Sequence, residues 1–422
     1  MNQSYLKMSS EELKQQFDAV LAEYNEIKSQ GLNIDMSRGK PGSDQLDISN
    51  DMLNVFVDGN FKTEAGFDVR NYGLLQGIPE CQKLFAELLG VKPENIIVGG
   101  NSSLSLMYDY VAQCMFIGAG FTPWSKQGKV KFLCPCPGYD RHFAICESLG
   151  IEMINIRMTS EGPDIAQIKE AVKDSAVKGM FVVPKYSNPQ GITFSDSVVK
   201  ELAELTPAAD DFRIIWDNAY IVHDLSDESD RLLNIFSVLP ERNKNMIIEV
   251  TSTSKISFPG AGVSCLASSE ENIKEILKRL TVQSISYDKL NMLRHVKYFK
   301  NADGIKEHMK KHAKILKPKF DAVLDTLNAD LSGLEIAEWN EPNGGYFISL
   351  DVTGGSASRV GVLCKEAGVT LTNVGATFPY GKDPSDSNIR IAPTFPSADV
   401  LKQAVKVLTV SVRLACLENL IK

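Results

Sequence analysis

Near the amino end, apolar residues recur at helical spacing: Leu13, Phe17, Val20, Leu21, Tyr24 and Ile27. Ser9 and Glu12 precede them at capping-box spacing and Gly31 follows, so the pattern predicts an amphipathic helix over residues 10–30. Between residues 150 and 220 the period changes. Short apolar runs at 153–156, 180–183 and 214–216 alternate with polar helical stretches, which predicts βαβ units and a parallel sheet. Further strand-like runs stand at 96–98, 130–133 and 246–250. A long helical region is expected over about 270–330, followed by a smaller α/β unit. Within it, the basic run from Lys306 to Lys319 reads as the wet face of a long helix.

At 422 residues the chain exceeds what one hydrophobic core usually holds, so two domains are expected. A net charge of −8 argues against a general nucleic-acid surface, because phosphate binding needs a concentrated basic face. The eight cysteines show no CxxC pair and no histidine cluster at metal spacing, so no metal site is expected. They read as buried free thiols of a reducing compartment. The polar start MNQSYLKMSSEELKQQF has no signal-peptide core, and the longest apolar stretch, 110–121, is too short for a membrane span. The expectation is a cytoplasmic protein that binds neither membrane nor nucleic acid.

The candidate chemistry gathers at strand ends. Asn188-Pro189-Gln190-Gly191 follows the run at 179–184, Asp217-Asn218-Ala219-Tyr220 follows 213–216, and Thr251-Ser252-Thr253-Ser254-Lys255 follows 246–250. Ligand-binding residues of open α/β sheets sit just past the carboxyl ends of strands, which would bring Asn188, Asp217 and Lys255 to one site. Gly99-Gly100-Asn101-Ser102-Ser103 reads as a glycine turn opening a helix. Such a helix start suits a phosphate, because its outward amides and dipole favour an anion and Ser102 or Ser103 can add a hydroxyl donor.

In order and spacing these motifs resemble those of the fold type I aminotransferases, which use pyridoxal 5'-phosphate (PLP); the resemblance runs through most of the chain. It implies a Schiff-base lysine at Lys255 that also acts as general base. It likewise implies that Asp217 keeps the pyridine nitrogen protonated, that Asn188 and Tyr220 bond the ring's phenolic oxygen, and that Ser252 and Ser254 help hold the phosphate. In Cys136-Pro137-Gly138-Tyr139, Tyr139 falls where the family stacks an aromatic ring on the cofactor, and His142 falls behind the pyridine-pairing aspartate. Asn71-Tyr72-Gly73 places Tyr72 where the family reaches the cofactor phosphate of the neighbouring subunit, which implies a homodimer with shared active sites. Gly39, in the loop Ser37-Arg38-Gly39-Lys40-Pro41-Gly42, would lie over the site. Arg390, in Asn388-Ile389-Arg390-Ile391-Ala392-Pro393, would clamp the substrate's alpha-carboxylate through its two-pronged guanidinium. The chain departs from the family at Val263, where an arginine usually pairs with the phosphate.

The implied architecture is α/β: a large PLP-binding domain over 50–300 with a mostly parallel sheet flanked by helices, and a smaller α/β domain formed by both termini, 1–49 and 301–422. The loop SRGKPG and the segment TSTSKISFPGAGV look most like an aspartate aminotransferase subgroup. The expected reaction is L-aspartate plus 2-oxoglutarate giving oxaloacetate and L-glutamate, with an amino acid and a 2-oxo acid as substrates. A dicarboxylate needs a second cation, for which Arg38, Lys40 and Arg141 are the candidates. An aminotransferase for another amino acid, or a lyase or decarboxylase on the same fold, would share the cofactor residues. A PLP-binding transcription regulator is disfavoured by the roughly 35 residues ahead of the first active-site loop, too few for a winged helix.

Overall fold

The computed structural model describes residues 3–422. An eight-stranded sheet forms its centre, in the spatial order Ile96–Val98, Ser264–Ala267, Ile247–Ser252, Arg213–Asp217, Val177–Val182, Lys131–Cys136, Glu152–Thr159 and Gly162–Pro163. The strands from Ile247–Ser252 through Glu152–Thr159 run parallel, and Ser264–Ala267 runs against them. Alternate residues feed two different cores. Phe132, Cys134, Phe181, Ile215, Ile248 and Val250 pack on one face, while Leu133, Met180, Val182, Ile214, Trp216 and Ile247 pack on the other. Both faces are therefore covered, which is why these strands read as unbroken apolar runs.

The amino-terminal helix spans Ser10–Ser29, with the Ser9–Glu12 capping box formed on both sides. It lies against the last helix, Ala398–Leu420, and the strand Ile34–Met36 pairs in parallel with Val369–Leu371. Val20, Tyr24 and Met36 thus share one core with Phe320, Leu327, Leu350, Ile389 and Leu408. The two ends of the chain are joined by burial and by a sheet ladder.

Helix boundaries differ from the expected pattern in one region. Residues 270–330 form three helices, Glu270–Gln283, Lys289–Phe299 and Ala302–Leu331, because Asp288 and Asn301 each cap a new start by accepting a backbone N–H. The basic run is also not wholly wet. Lys319 is buried, pairs with Asp44 at 2.9 Å and donates to the Thr394 carbonyl at 3.1 Å. All eight cysteines are buried free thiols. Among the described residues no helix is long and apolar enough to cross a membrane, and no cluster of metal-ligating side chains occurs.

The junction between the ends turns on Gly368. Its φ is +84°, a Cβ there would lie 1.8 Å from the Leu32 carbonyl oxygen, and its own carbonyl accepts from the Ile34 amide at 2.9 Å. A side chain would be both strained and in collision with backbone. Gly368→Ala is therefore expected to cost more than about 1 kcal/mol of stability. Urea unfolding measures this directly, and an unchanged midpoint would contradict the packing described.

Candidate active site

Four strand ends and one helix start open into a cavity of about 660 Å³. Asp217 closes the strand Arg213–Asp217, Ser252 closes Ile247–Ser252, Asn188 lies just past Val177–Val182, and Tyr139 follows Lys131–Cys136. Ser102 and Ser103 begin the helix Ser103–Phe116 opposite them. Together with Gly39, Tyr220, Ser254, Lys255 and Arg390, these residues all line the cavity. A larger open groove of about 980 Å³ runs along the lysine face of Ala302–Leu331 and contains none of them. Tyr72 stands apart: it is 74% exposed and outside the cavity of its own chain.

The floor is built around Asp217, whose side chain is buried. Its Oδ2 accepts from His142 Nε2 at 3.0 Å, which places the imidazole proton on that nitrogen. His142 is fixed in turn by stacking on Phe181 at 4.6 Å and by an edge contact with Tyr139 at 5.0 Å. The other oxygen, Oδ1, is buried without a hydrogen-bond partner. A buried carboxylate oxygen left unpaired is costly, and a cationic N–H donor in the cavity would satisfy it. That is the donor a protonated pyridine presents.

Lys255 Nζ lies over the rings of Tyr220 and Tyr346, at 5.0 and 5.8 Å from their centroids. Burial holds its pKa below the usual lysine value, opposed in part by the charge of Asp217. A lysine so placed is more readily unprotonated, as a nucleophile and base requires. Burial also pushes the Tyr139 phenol up to about 12, with Asp217 adding to the rise, and likewise raises the Tyr220 phenol. Both phenols remain hydrogen-bond donors.

At the opposite end, Ser102 makes no side-chain cap bond, so the first amides of its helix are open to an anion. Ser252 Oγ donates to Ser254 Oγ at 2.9 Å, and Ser254 Oγ donates to the Asn101 carbonyl at 2.9 Å. Val263 is buried in an apolar core with Ile78 and Met292, where a guanidinium would have no partner. Arg294, which no motif marks in the sequence, lies in an adjoining cavity with Asn101 and Val263. It donates to the Ala261 carbonyl at 3.0 Å and keeps a buried Nε without a partner.

Arg390 is buried on the wall. One Nη1 donates to Asp140 Oδ1 at 2.9 Å and to Asn188 Oδ1 at 3.3 Å, and the guanidinium lies 4.8 Å from the Phe347 ring centroid. Its ion pair with Asp140 has no signal in the sequence. Because arginine only donates, Asn188 must present its oxygen to Arg390 and its NH2 elsewhere. Gly39 rests against the same Phe347: a Cβ at residue 39 would meet the ring at 2.4 Å. Of the three candidate cations for a second carboxylate, all line the cavity and all are exposed. None of the three makes an ion pair among the described residues, but Lys40 already sits 4.0 Å over the Phe395 ring.

A family profile described as Aspartate amino-transferase matches residues 8–422. An aspartate aminotransferase of Corynebacterium glutamicum is 43% identical, over 98% of this chain and 99% of that protein. A protein of Mycolicibacterium smegmatis is 44% identical over 99% of both chains. The crystal structure of an aspartate transaminase from Corynebacterium glutamicum superimposes with a TM-score of 0.96 at 42% identity, covering 98% of this chain and 99% of that one.

The histidines behind the lysine give the fold a pH dependence. Burial pushes His295, His308 and His312 down to about 4. As pH falls from the ordinary histidine range toward 4, the unfolded chain takes up protons that the folded chain excludes, so stability is lost across that window. Glu249, raised to about 7 by burial, acts in the opposite sense as pH rises toward 7. His295→Gln removes one group of the first kind. Its urea midpoint should fall less than that of the unaltered protein between about pH 6.5 and 4. Equal falls would show that His295 is not held neutral.

Proposed function

This chain belongs to the aspartate amino-transferase family, and we propose that it moves the amino group of L-aspartate to 2-oxoglutarate, giving oxaloacetate and L-glutamate, with PLP bound in the cavity described above. The single observation that carries the cofactor assignment is the buried, unpartnered Oδ1 of Asp217. Asp217 would hold the pyridine N–H, Tyr139 would stack on the ring, and Asn188 and Tyr220 would donate to its phenolic oxygen. Ser102, Ser103, Ser252 and Ser254 would hold the phosphate beside the open helix amides. When bound, the cofactor supplies an electron sink for the carbanion formed at the amino acid's alpha carbon.

The chain's own residues do the rest. Lys255 Nζ, with its lowered pKa, takes the proton from the amino acid's alpha carbon and carries it to the far side of the substrate nitrogen, a 1,3-shift. Arg390 binds the alpha-carboxylate with the part of its fork that Asp140 and Asn188 leave open. The Gly39 loop lies against Phe347, and so against the ring beneath that guanidinium. We assign the exposed Tyr72 to the phosphate site of a second copy of the chain, which makes the working form a homodimer.

Lys255→Ala should abolish turnover by orders of magnitude, and wild-type rates in that variant would end the assignment. For specificity, kcat/KM is compared for aspartate, alanine and phenylalanine. Aspartate should lead, and truncating Arg38 or Arg141, whichever pairs with its side-chain carboxylate, should cost aspartate about 2–5 kcal/mol while largely sparing alanine. Lys40→Ala should have little effect. A preference for alanine or phenylalanine would overturn aspartate as donor while leaving the aminotransferase intact.

A further inference from the structure

Behind Lys255, away from the cavity, Gln45, His312 and His308 are all buried and stand in polar contact one after another. We propose that these residues are a positioning relay that ties the loop over the cavity to the peptide carbonyl that follows the catalytic lysine. The inference rests on the reading of Lys255 given above, but the relay itself belongs to none of the residues that reading uses.

The direction of each bond can be worked out from the groups at the two ends. The Gly42 amide, last residue of the Gly39 loop, donates to Gln45 Oε1 at 3.2 Å, which fixes the carboxamide with its NH2 inward. Gln45 Nε2 donates to Tyr346 OH at 3.0 Å and faces His312 Nδ1 at 3.4 Å. His312 must therefore accept at Nδ1 and carry its proton on Nε2. At the far end, the Ile256 carbonyl can only accept, so His308 donates to it through Nε2 at 2.9 Å. His312 Nε2 lies 3.3 Å from His308 Nε2, and because both nitrogens carry protons neither accepts from the other; both N–H groups have the Ile256 carbonyl as their acceptor. Two imidazoles, four residues apart on one face of Ala302–Leu331, thus converge on the carbonyl one residue past Lys255.

The surroundings keep this arrangement in one state. Ser49 Oγ lies 3.2 Å from His308 Nε2, and Tyr298 OH lies 3.5 Å from its Nδ1. A second proton on His312 would set an N–H against the Gln45 NH2, and Gln45 cannot turn over without opposing its NH2 to the Gly42 amide. The nearby titratable groups are Asp44 and the buried His223 beside His312, and Lys311 beside His308; His223 also faces Lys255. Both rings are held neutral mainly by burial, so the bond directions persist at neutral pH. Lys319, through Asp44 and the Thr394 carbonyl, anchors the same loop about two turns further along the helix from His312.

The relay predicts effects on Lys255 that packing alone would not produce. In the PLP-loaded enzyme, His312→Leu and Gln45→Met should each lower kcat about tenfold or more with KM little changed. Each should also shift the pH midpoint of the bound cofactor's visible absorption. In cofactor-free protein, the pH midpoint for labelling Lys255 with an amine reagent, followed by peptide mass mapping, should shift in the same variants. His312→Gln should restore most of the kcat, because its amide N–H can reach the imidazole Nε2 position. The relay is overturned if the leucine and methionine variants lose thermal stability while keeping kcat and both midpoints, or if His312→Gln is as impaired as His312→Leu. Failure of the relay leaves an active wild type; an unaltered protein with no cofactor absorption and no turnover would instead overturn the reading of the site itself.

Discussion

A carboxylate held in the floor of a parallel sheet with one oxygen satisfied and one open is the constraint on which the site depends. Asp217 can stay there because His142 takes Oδ2, Phe181 fixes His142, and the two apolar cores keep water from either face. Its open Oδ1 selects for a buried cation, and its charge partly offsets the desolvation of Lys255. The three groups are thus electrostatically linked. Moving the aspartate to the next residue of its strand would turn its side chain to the other face, which is why strand register and chemistry cannot be separated here.

The second requirement is that the two ends of the chain meet over that floor. The Gly39 loop comes from the amino end and Arg390 from near the carboxyl end, and Phe347 touches both. What holds them together is the shared core of the terminal helices and the short parallel ladder between Ile34–Met36 and Val369–Leu371. The long helix Ala302–Leu331 serves both parts: Ile305 and Met309 pack with Met52, Leu84 and Ile256, while Phe320 and Leu327 belong to the terminal core. His308 lies within the first stretch and His312 between the two, at the point where relative movement of the parts would be felt by the lysine segment.

Much of this was legible in the sequence, for identifiable reasons. Asn188, Asp217 and Lys255 stand directly after apolar runs, and the parallel-sheet rule alone sends such residues to one edge. Ser102 and Ser103 were marked by the glycine turn ahead of a helix. The aminotransferase family was legible only through the ordered set of motifs, since no single one is unusual. What could not be read depends on partners distant in sequence. His308 and His312 are embedded in a lysine-rich run whose overall pattern is that of a wet surface, and nothing local shows that this face of the helix turns inward. The burial of Lys319 is concealed for the same reason, its partners being Asp44 and Thr394. The ion pair of Arg390 with Asp140, and the helix breaks at Asp288 and Asn301, likewise rest on contacts or caps that a uniformly polar pattern conceals.

The central claim is that this cavity holds PLP with Lys255 as its anchor. Incubating the protein with PLP, reducing with borohydride and mapping the modified peptide tests it most directly. The account predicts one dominant phosphopyridoxyl adduct, on Lys255. An adduct confined to surface lysines such as Lys310 or Lys314, or no specific adduct at all, would contradict it.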